Sequence, residues 1–374
     1  MTAAMNFVEW YPILNAETLD TPALAIYPER VRENIRILKT FVQNVDNLRP
    51  HMKTNKSPEV ATMLLEAGIR KFKCATIAEA EMLATAGAPD VLLAYQPVGP
   101  KAERLAALVA RFPQTTFSCL VDNLTAGQHL SHVFQRASLT ISLYIDLNVG
   151  MNRTGVLPGA AIDLYIALLD LPGIVVAGLH AYDGHLRDTD LAVRTAKCNE
   201  AFASVAALRD TIIGKTGITP RIIAGGTPTF PIHAQRPDVE CSPGTFVYWD
   251  KGYQSILQEQ PFLFAALVVS RVVSLPTADT ICVDLGHKSI ASESPLNNRV
   301  YFLNAPELVP EGHSEEHLIL RAGAGHRYQV GDILYGVPHH ICPTVALHDR
   351  AAIVEDGQWN QFWYTHARDR YLTV

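Results

Sequence analysis

Five short segments of this 374-residue chain combine residue types that can do chemistry. In RPHMKTNKSP, Lys53 closes a short run where its amine can face a cavity instead of open solvent. A desolvated lysine among cations has a depressed pKa and becomes a nucleophile able to form a Schiff base with an aldehyde. Arg49, His51 and Lys56 are such neighbours or near neighbours, while the plainer alternative is an ordinary solvated lysine. IIAGGTPTF offers Gly225, Gly226 and Thr227, whose backbone N–H groups can converge on a phosphate, although paired glycines also simply form turns. YIDLNVGMNRTG gathers Asp146, Asn148, Asn152 and Arg153 around a glycine turn, with Arg153 suited to an anionic oxygen or to plain surface solvation. GLHAYDGHLRD brings together His180, Tyr182, Asp183 and His185, more than packing needs, though buried His and Tyr can also satisfy local carbonyls. YGVPHHICPTVALHD carries His340-x-Cys342, an imidazole and a thiol suited to a borderline-soft ion such as Zn²⁺, or else a buried Cys beside a packed His.

Such groups must be brought together by a scaffold, and the sequence has a regular beat. From about Leu48 to Thr245, short β-branched or apolar runs alternate with longer amphipathic segments, the pattern of βα units around a parallel sheet. Candidate strands are Leu48–Lys53, Lys71–Ala75, Val91–Tyr95, Thr116–Val121, Thr140–Leu147, Ile174–Ala181, Arg221–Ala224 and Val239–Cys241. Helix patterns lie between them at Pro58–Ala67, Ile77–Ala86, Lys101–Phe112 and Leu191–Ile213, with Ser57 and Pro58 as N-cap and first turn. Gly68 and Gly87 read as C-terminal caps. Eight such units fit an α/β fold of (β/α)8 barrel type better than an open doubly wound sheet, and no GxGxxG follows the first strand. In a barrel the residues just past the strand ends build the active site, and the loops after strands seven and eight often hold phosphate. Gly225 and Gly226 fall there.

After about Pro261 the rhythm becomes β-rich and turn-punctuated, as an antiparallel β domain requires. The expected division is a barrel over residues 20–260 and a β domain over 261–374, with residues 1–19 able to join the latter. The strand-like TPALAIY either pairs with that domain or leads into the barrel.

Composition narrows the classes. With 48% hydrophobic and 18% charged residues the chain is neither disordered nor collagen-like. Lys+Arg of 31 against Asp+Glu of 37 gives a net charge of −6, with no basic excess to attract nucleic acid. The stretch MTAAMNFVEWYP lacks the basic and apolar regions of a secretory signal, and no run is long enough to span a membrane. Six widely spaced cysteines without a CxxC pair suit reduced thiols in a cytoplasmic enzyme, and no disulfide is expected.

RPHMKTNK (49–56), KCATIAEAE (73–81), DLNVGMNRTG (146–155), HAYDGH (180–185), AGGTPTF (224–230), CSPGTFVYWD (241–250) and HHICPT (339–344) occur in this order over nearly the whole chain. Together they resemble the D-threonine aldolase and D-serine dehydratase family of fold-type III pyridoxal-phosphate enzymes, whose barrel is related to that of alanine racemase. The resemblance implies that Lys53 carries pyridoxal 5′-phosphate and that Gly225, Gly226 and Thr227 bind its phosphate. It places Arg153 near the phenolic oxygen, His180 and Tyr182 against the cofactor, and Tyr182 and His185 on the substrate side. His340 and Cys342 would hold a divalent metal, zinc, manganese or magnesium. Relatives work as homodimers in which the partner's β domain completes each site. Two positions depart from the pattern: Asn55 stands where many relatives have histidine, and aldolase members typically show His-x-Asp where this chain has His340-x-Cys342, as dehydratase members do.

The function so implied is a lyase on D-β-hydroxy-α-amino acids, most like D-threonine aldolase, with D-serine dehydratase-type β-elimination as the alternative. A racemase needs a second base, for which Lys288 or a partner tyrosine would have to serve. A non-catalytic pyridoxal-phosphate-binding protein would need no metal motif.

Overall fold

The structure is a computed structural model that describes residues 9–374; the first eight residues of the N-terminal stretch read above lie outside the described residues. The first elements are β1 (Ala23–Ile26) and α1 (Pro28–Thr40). A strand-and-helix alternation follows: α2 (Pro58–Glu66), β2 (Lys71–Cys74), α3 (Ile77–Thr85), β3 (Asp90–Leu93), α4 (Pro100–Arg111), β4 (Thr116–Val121), α5 (Leu124–Arg136), β5 (Ile141–Leu147), α6 (Ala161–Leu169), β6 (Ile174–Ala181), α7 (Leu191–Thr216), β7 (Arg221–Ala224), α8 (Phe230–His233) and β8 (Val239–Cys241). β2 to β8 pair in chain order, every pair parallel, with helices between them, as a (β/α)8 barrel demands. Local chemistry sets the helix ends. The Ser57 hydroxyl accepts the Val60 N–H ahead of Pro58, and Gly68 and Gly87 take φ of +89° and +85° after α2 and α3.

The expected first strand, Leu48–Lys53, is not continuous. Leu48 bridges Cys241 and His51 bridges Lys73, so this segment closes the ring between β8 and β2. Pro50 between them has no N–H to donate, and a turn begins at Met52. Lys53 therefore sits in a turn at the barrel mouth and not at a strand terminus.

Side chains alternate along a strand, so residues two apart share a face. Inside the barrel, Leu92, Leu120, Tyr144 and Ile223 form an apolar layer. Toward the strand N-termini, the fully buried Arg49 donates to Asp90 (2.6 and 3.1 Å) and to Glu240 (2.7 Å), and Lys71 reaches Glu240 at 2.6 Å. Toward the C-termini, the second-to-last residues of β2, β5 and β6 are Lys73, Asp146 and His180.

The second unit is built on α9 (Lys251–Ile256), β9 (Ala266–Ser274), β10 (Thr280–Val283), β11 (Val300–Phe302), β12 (Val309–His313), β13 (Leu318–Arg321), β14 (Ile333–Pro338), α10 (Ile341–Leu347), β15 (Arg350–Glu355) and β16 (Gln358–Tyr364). By contact, this unit comprises the described residues through Glu33 with Tyr248–Gln254 and Leu263–Thr365, while Asn34–Val247, Ser255–Phe262 and His366–Val374 form the barrel unit. Its sheet order is β12-β13-β10-β9-β1-β15-β16, with β14 on β9 and β11 on β14. Only β1 with β15 is parallel among its pairs; β1 also pairs antiparallel with β9, so TPALAIY belongs to this sheet. β9 is apolar on both faces because Val268 and Val272 enter one core while Leu267 and Val269 enter another. Among the described residues no helix is long and apolar enough to cross a membrane.

Replacing Arg49 with Ala leaves Asp90 and Glu240 facing each other with only Lys71 to compensate. The expected loss is about 3–5 kcal/mol of unfolding free energy by urea denaturation. A loss below about 1 kcal/mol would show that the buried pairs contribute little net stability.

Candidate active site

At the barrel mouth, His180 Nδ1 donates to Asp146 Oδ1 at 2.7 Å, so its Nε2 is the acceptor and Lys73 Nζ donates to it, also at 2.7 Å. Thr154 adds a hydrogen bond to Asp146 Oδ2 at 2.7 Å. Burial pushes the Asp146 carboxyl up, but His180 and Thr154 outweigh it and hold it below the usual carboxylate range. Burial and Lys73 push His180 down against the pull of Asp146, leaving a neutral ring. Lys73 is pushed down to about 7 by burial and by Lys53, with Arg49 adding and Asp146 and Asp183 opposing. His51 is also buried and driven well down, by burial first and then by Lys53, Lys73, Lys56 and His180.

The aromatic face of Tyr182 collects the cations. Lys53 Nζ lies 6.0 Å, Lys73 Nζ 5.5 Å and Arg153 Cζ 5.3 Å from its ring centroid. Two glycines let that ring lie where it does. A Cβ on Gly226 would sit 2.7 Å from Tyr182 Cε2, and one on Gly184 would sit 2.2 Å from its Cζ and hydroxyl oxygen. His185 is exposed and packs against Gly150, where φ is +117° and a Cβ would come 2.8 Å from His185 Nε2. The Lys53 turn is held by its own residues: Asn55, at the departing position, accepts the Ser57 N–H at 3.1 Å, and Lys56 pairs with Glu79.

The loop after β7 is buried throughout. Gly225 has φ of +77°, a conformation that disfavours other residues, and a Cβ there would meet His233 Cδ2 at 2.7 Å. Thr227 Oγ1 accepts the N–H groups of Gly244 and Thr245 at 3.3 Å, joining this loop to the one after β8. Asp183 braces it from behind, accepting from Thr229 Oγ1 (2.6 Å), His233 Nε2 (2.9 Å) and Cys198 Sγ (3.6 Å). Asp183, Cys198 and His233 bring metal-ligand types within 4.8 Å of one another. Their protons argue for a brace instead. Arg236 donates to His233 Nδ1 at 2.9 Å, which puts the ring proton on Nε2, and burial with Asp183 pushes the Cys198 thiol up to about 12.

In the second unit, His340 and Cys342 come together, though not in a strand. β14 ends at Pro338, His340 is the N-cap of α10, and Pro343 in the first helical turn rules out a continuing ladder. Burial lowers His340, but its hydrogen bond and charge interaction with Cys342, with Glu293 and Asp250, push it up to about 9. Glu293 pairs with His340 Nδ1, and Asp250 Oδ2 accepts the Ile341 N–H at 3.1 Å. Imidazole and thiol are ligand types a divalent cation takes, and the Glu293 carboxylate pairs with the imidazole, but among the described residues these donors do not form a group of three within 4.8 Å of one another. Lys288 is committed to Glu315 at 2.8 Å and Glu316 at 3.2 Å on an exposed surface, which removes it as a second base.

The structure thus gathers Lys53, Arg153, His180, Tyr182, Gly225, Gly226 and Thr227 within the barrel unit, and His340 with Cys342 in the β unit. Sequence reasoning missed Lys73 as a site residue and the brace role of Asp183. The signal for Lys73 was a second lysine two residues on from Lys71 in KFKC, hence on the barrel's inward face.

Comparison with known proteins agrees with this fold. Residues 26–251 match the alanine racemase N-terminal domain, and residues 265–354 match a serine dehydratase domain. The chain is 29% identical to a D-threonine aldolase of Arthrobacter sp over 94% of its own length and 93% of that protein. It is 26% identical to a D-threo-3-hydroxyaspartate dehydratase of Delftia sp. (strain HT23), covering 88% of this chain and 92% of that one. The crystal structure of D-threonine aldolase from Filomicrobium marinum superposes with a TM-score of 0.85 at 27% identity, covering 94% of this chain and 96% of that one. With a match spanning most of the barrel and the mouth residues it carries, the chain belongs to the alanine racemase N-terminal domain family.

Proposed function

We propose that this chain is a pyridoxal 5′-phosphate-dependent lyase on D-β-hydroxy-α-amino acids, cleaving Cα–Cβ to give glycine and an aldehyde, as its D-threonine aldolase relatives are named for. The observation that carries this reading is the convergence of Lys53, Lys73 and Arg153 on the face of Tyr182, with Gly226 too close to the same ring for any side chain. The residues fit the cofactor. Lys53 supplies an amine for its aldehyde, Arg153 a cation for its phenolic oxygen, and Gly225, Gly226 and Thr227 a cradle for its phosphate. Ser242 Oγ, buried with no hydrogen-bond partner among the described residues, lies two residues from Gly244 in that cradle and awaits an acceptor.

Bound there, pyridoxal phosphate supplies an electron sink for negative charge developing on the substrate's α-carbon. Held by His340 and Cys342, a divalent metal supplies positive charge that acidifies a hydroxyl. Lys53 Nζ would hold the cofactor. Tyr182 presents its ring to the site, and the exposed His185 offers an imidazole for the β-hydroxyl proton. We assign the cofactor to the barrel and the metal pair to the β domain of a cytoplasmic homodimer, the partner completing each site.

A second reading is favoured by one observation. Cys342 beside His340 follows the dehydratase pattern, and the Delftia relative is a dehydratase. In that reaction Lys53 Nζ takes the α-proton and the β-hydroxyl leaves.

Purified protein given pyridoxal phosphate is expected to show a visible absorption band that borohydride bleaches, and Lys53→Ala to lack it. A wild type that stays colourless overturns the reading. With D-threonine, glycine and acetaldehyde are expected in stoichiometric amounts; 2-oxobutanoate as the main product assigns the chain to the elimination instead. Chelator treatment and His340→Ala should each lower turnover at least about tenfold, restored for the chelated wild type by a divalent ion. Undiminished turnover after complete demetallation removes the metal from the chemistry.

A further inference from the structure

Two lysines on one strand face give an internal comparison. Lys71 and Lys73 are two residues apart in β2, and each is met by a partner. Lys71 Nζ pairs directly with Glu240 Oε1 at 2.6 Å and with the Asp46 carbonyl at 2.9 Å, the arrangement of a charge held for structure. Lys73, 3% exposed, has no carboxylate within ion-pair reach among the described contacts. Its partner at 2.7 Å is His180 Nε2, on a ring whose proton is already committed to Asp146. A buried ammonium facing a neutral acceptor is poorly compensated, and an apolar residue would serve packing better.

The surroundings make its proton easy to lose. Around Lys73 stand Arg49, His51 and Lys53 from the ring-closing segment, Asp146 of β5, His180 of β6, Asp183 just beyond it, and Arg153 across the Tyr182 ring. Burial and Lys53 bring Lys73 to about 7. The neutral amine keeps an N–H for His180 and gains a lone pair, so both protonation states satisfy the ring. The pocket needs such a base. An α-amino acid arrives with its amine protonated, and only the free amine can displace Lys53.

We propose that Lys73, oriented by the Asp146–His180 pair, is the base that deprotonates the α-ammonium of the incoming amino acid beside Lys53. The substrate N–H bond breaks, an N–H bond forms at Lys73 Nζ, and the proton returns to solvent before the next turnover. This rests on the lyase reading above.

The test uses the holoenzyme and two variants, Lys73→Met and Lys73→Arg, the second keeping a charge that cannot be released. Two quantities are followed from pH 5.5 to 9.5: the rate of the visible spectral change on mixing with D-threonine, and kcat/KM. In the wild type both should rise with pH between 6 and 8 as Lys73, lowered first of all by its burial, becomes neutral. Both variants should retain the borohydride-sensitive band, lose that rise, and fall at least about tenfold at pH 8. If either variant keeps the wild-type rise with rates within about twofold, or if the wild-type profile is flat between pH 6 and 8, the proposal is overturned while the lyase reading stands. A wild type with no visible band overturns both. Should Lys73→Met fail to hold the cofactor, the wild-type profile and Lys73→Arg still decide.

Discussion

The 2.7 Å hydrogen bond from His180 Nδ1 to Asp146 fixes one tautomer of a buried imidazole, and the barrel mouth is organised around that choice. With Nδ1 committed as donor, Nε2 must accept, and the group that reaches it must carry protons; Lys73 does. These three side chains are next to last in three strands: register sets Asp146 beside His180 on β5 and β6, and Lys73 of the non-adjacent β2 reaches His180 across the barrel interior. A shift of one residue in β5 or β6 would turn Asp146 or His180 toward the helices and dissolve the chain. Register in the barrel is therefore also register of the chemistry.

Electrostatics divides the barrel interior along its axis. At the N-terminal end, Arg49 and Lys71 meet Asp90 and Glu240 directly, so opposite charges cancel at contact distance. The apolar cluster of Leu92, Leu120, Tyr144 and Ile223 lines the interior as well, Leu92 in register with Lys73 and Ile223 with His180. At the mouth, cations outnumber their carboxylates: Lys53, Lys73 and Arg153 share the Tyr182 face, while Asp146 is engaged by His180 and Thr154. An excess of positive charge at low dielectric favours an anion and keeps an amine neutral.

The βα alternation was legible because a parallel strand buried on both faces must be apolar throughout, and Thr116–Val121, Ile174–Ala181, Arg221–Ala224 and Val239–Cys241 appear in the structure with the bounds read from sequence. The ring-closing segment was not, because Pro50 interrupts its ladder and leaves single bridges. Nor was the partner of β1, since pairing with β9 and β15 joins residues hundreds apart in the chain, and no local pattern records that choice. At the site, Lys53, Arg153 and Tyr182 stood out because the sequence puts them at or just past expected strand ends, Arg153 and Tyr182 in glycine-containing segments. Lys73 lies within a strand beside Lys71, and composition alone gives the two the same meaning. Only their partners, Glu240 for one and His180 for the other, separate them. His340 and Cys342 meet, but through a helix start that Pro343 favours, not through strand alternation.

The brace behind the β7 loop shows how the mouth is kept in shape. Gly225 needs its positive φ, and neither it nor Gly226 tolerates a Cβ, so the loop cannot be stiffened by its own side chains. Stiffness comes instead from Asp183, which follows β6 and ties Thr229, His233 and Cys198 into one buried group. Burial raises the Asp183 carboxyl, yet His233 and Thr229 hold it below the usual range, so it remains an acceptor for both. Tyr182, its chain neighbour, lies on Gly226. The same β6 end thus fixes the ring against Gly226 and the carboxylate behind Thr229 and His233, and the loop is held from both.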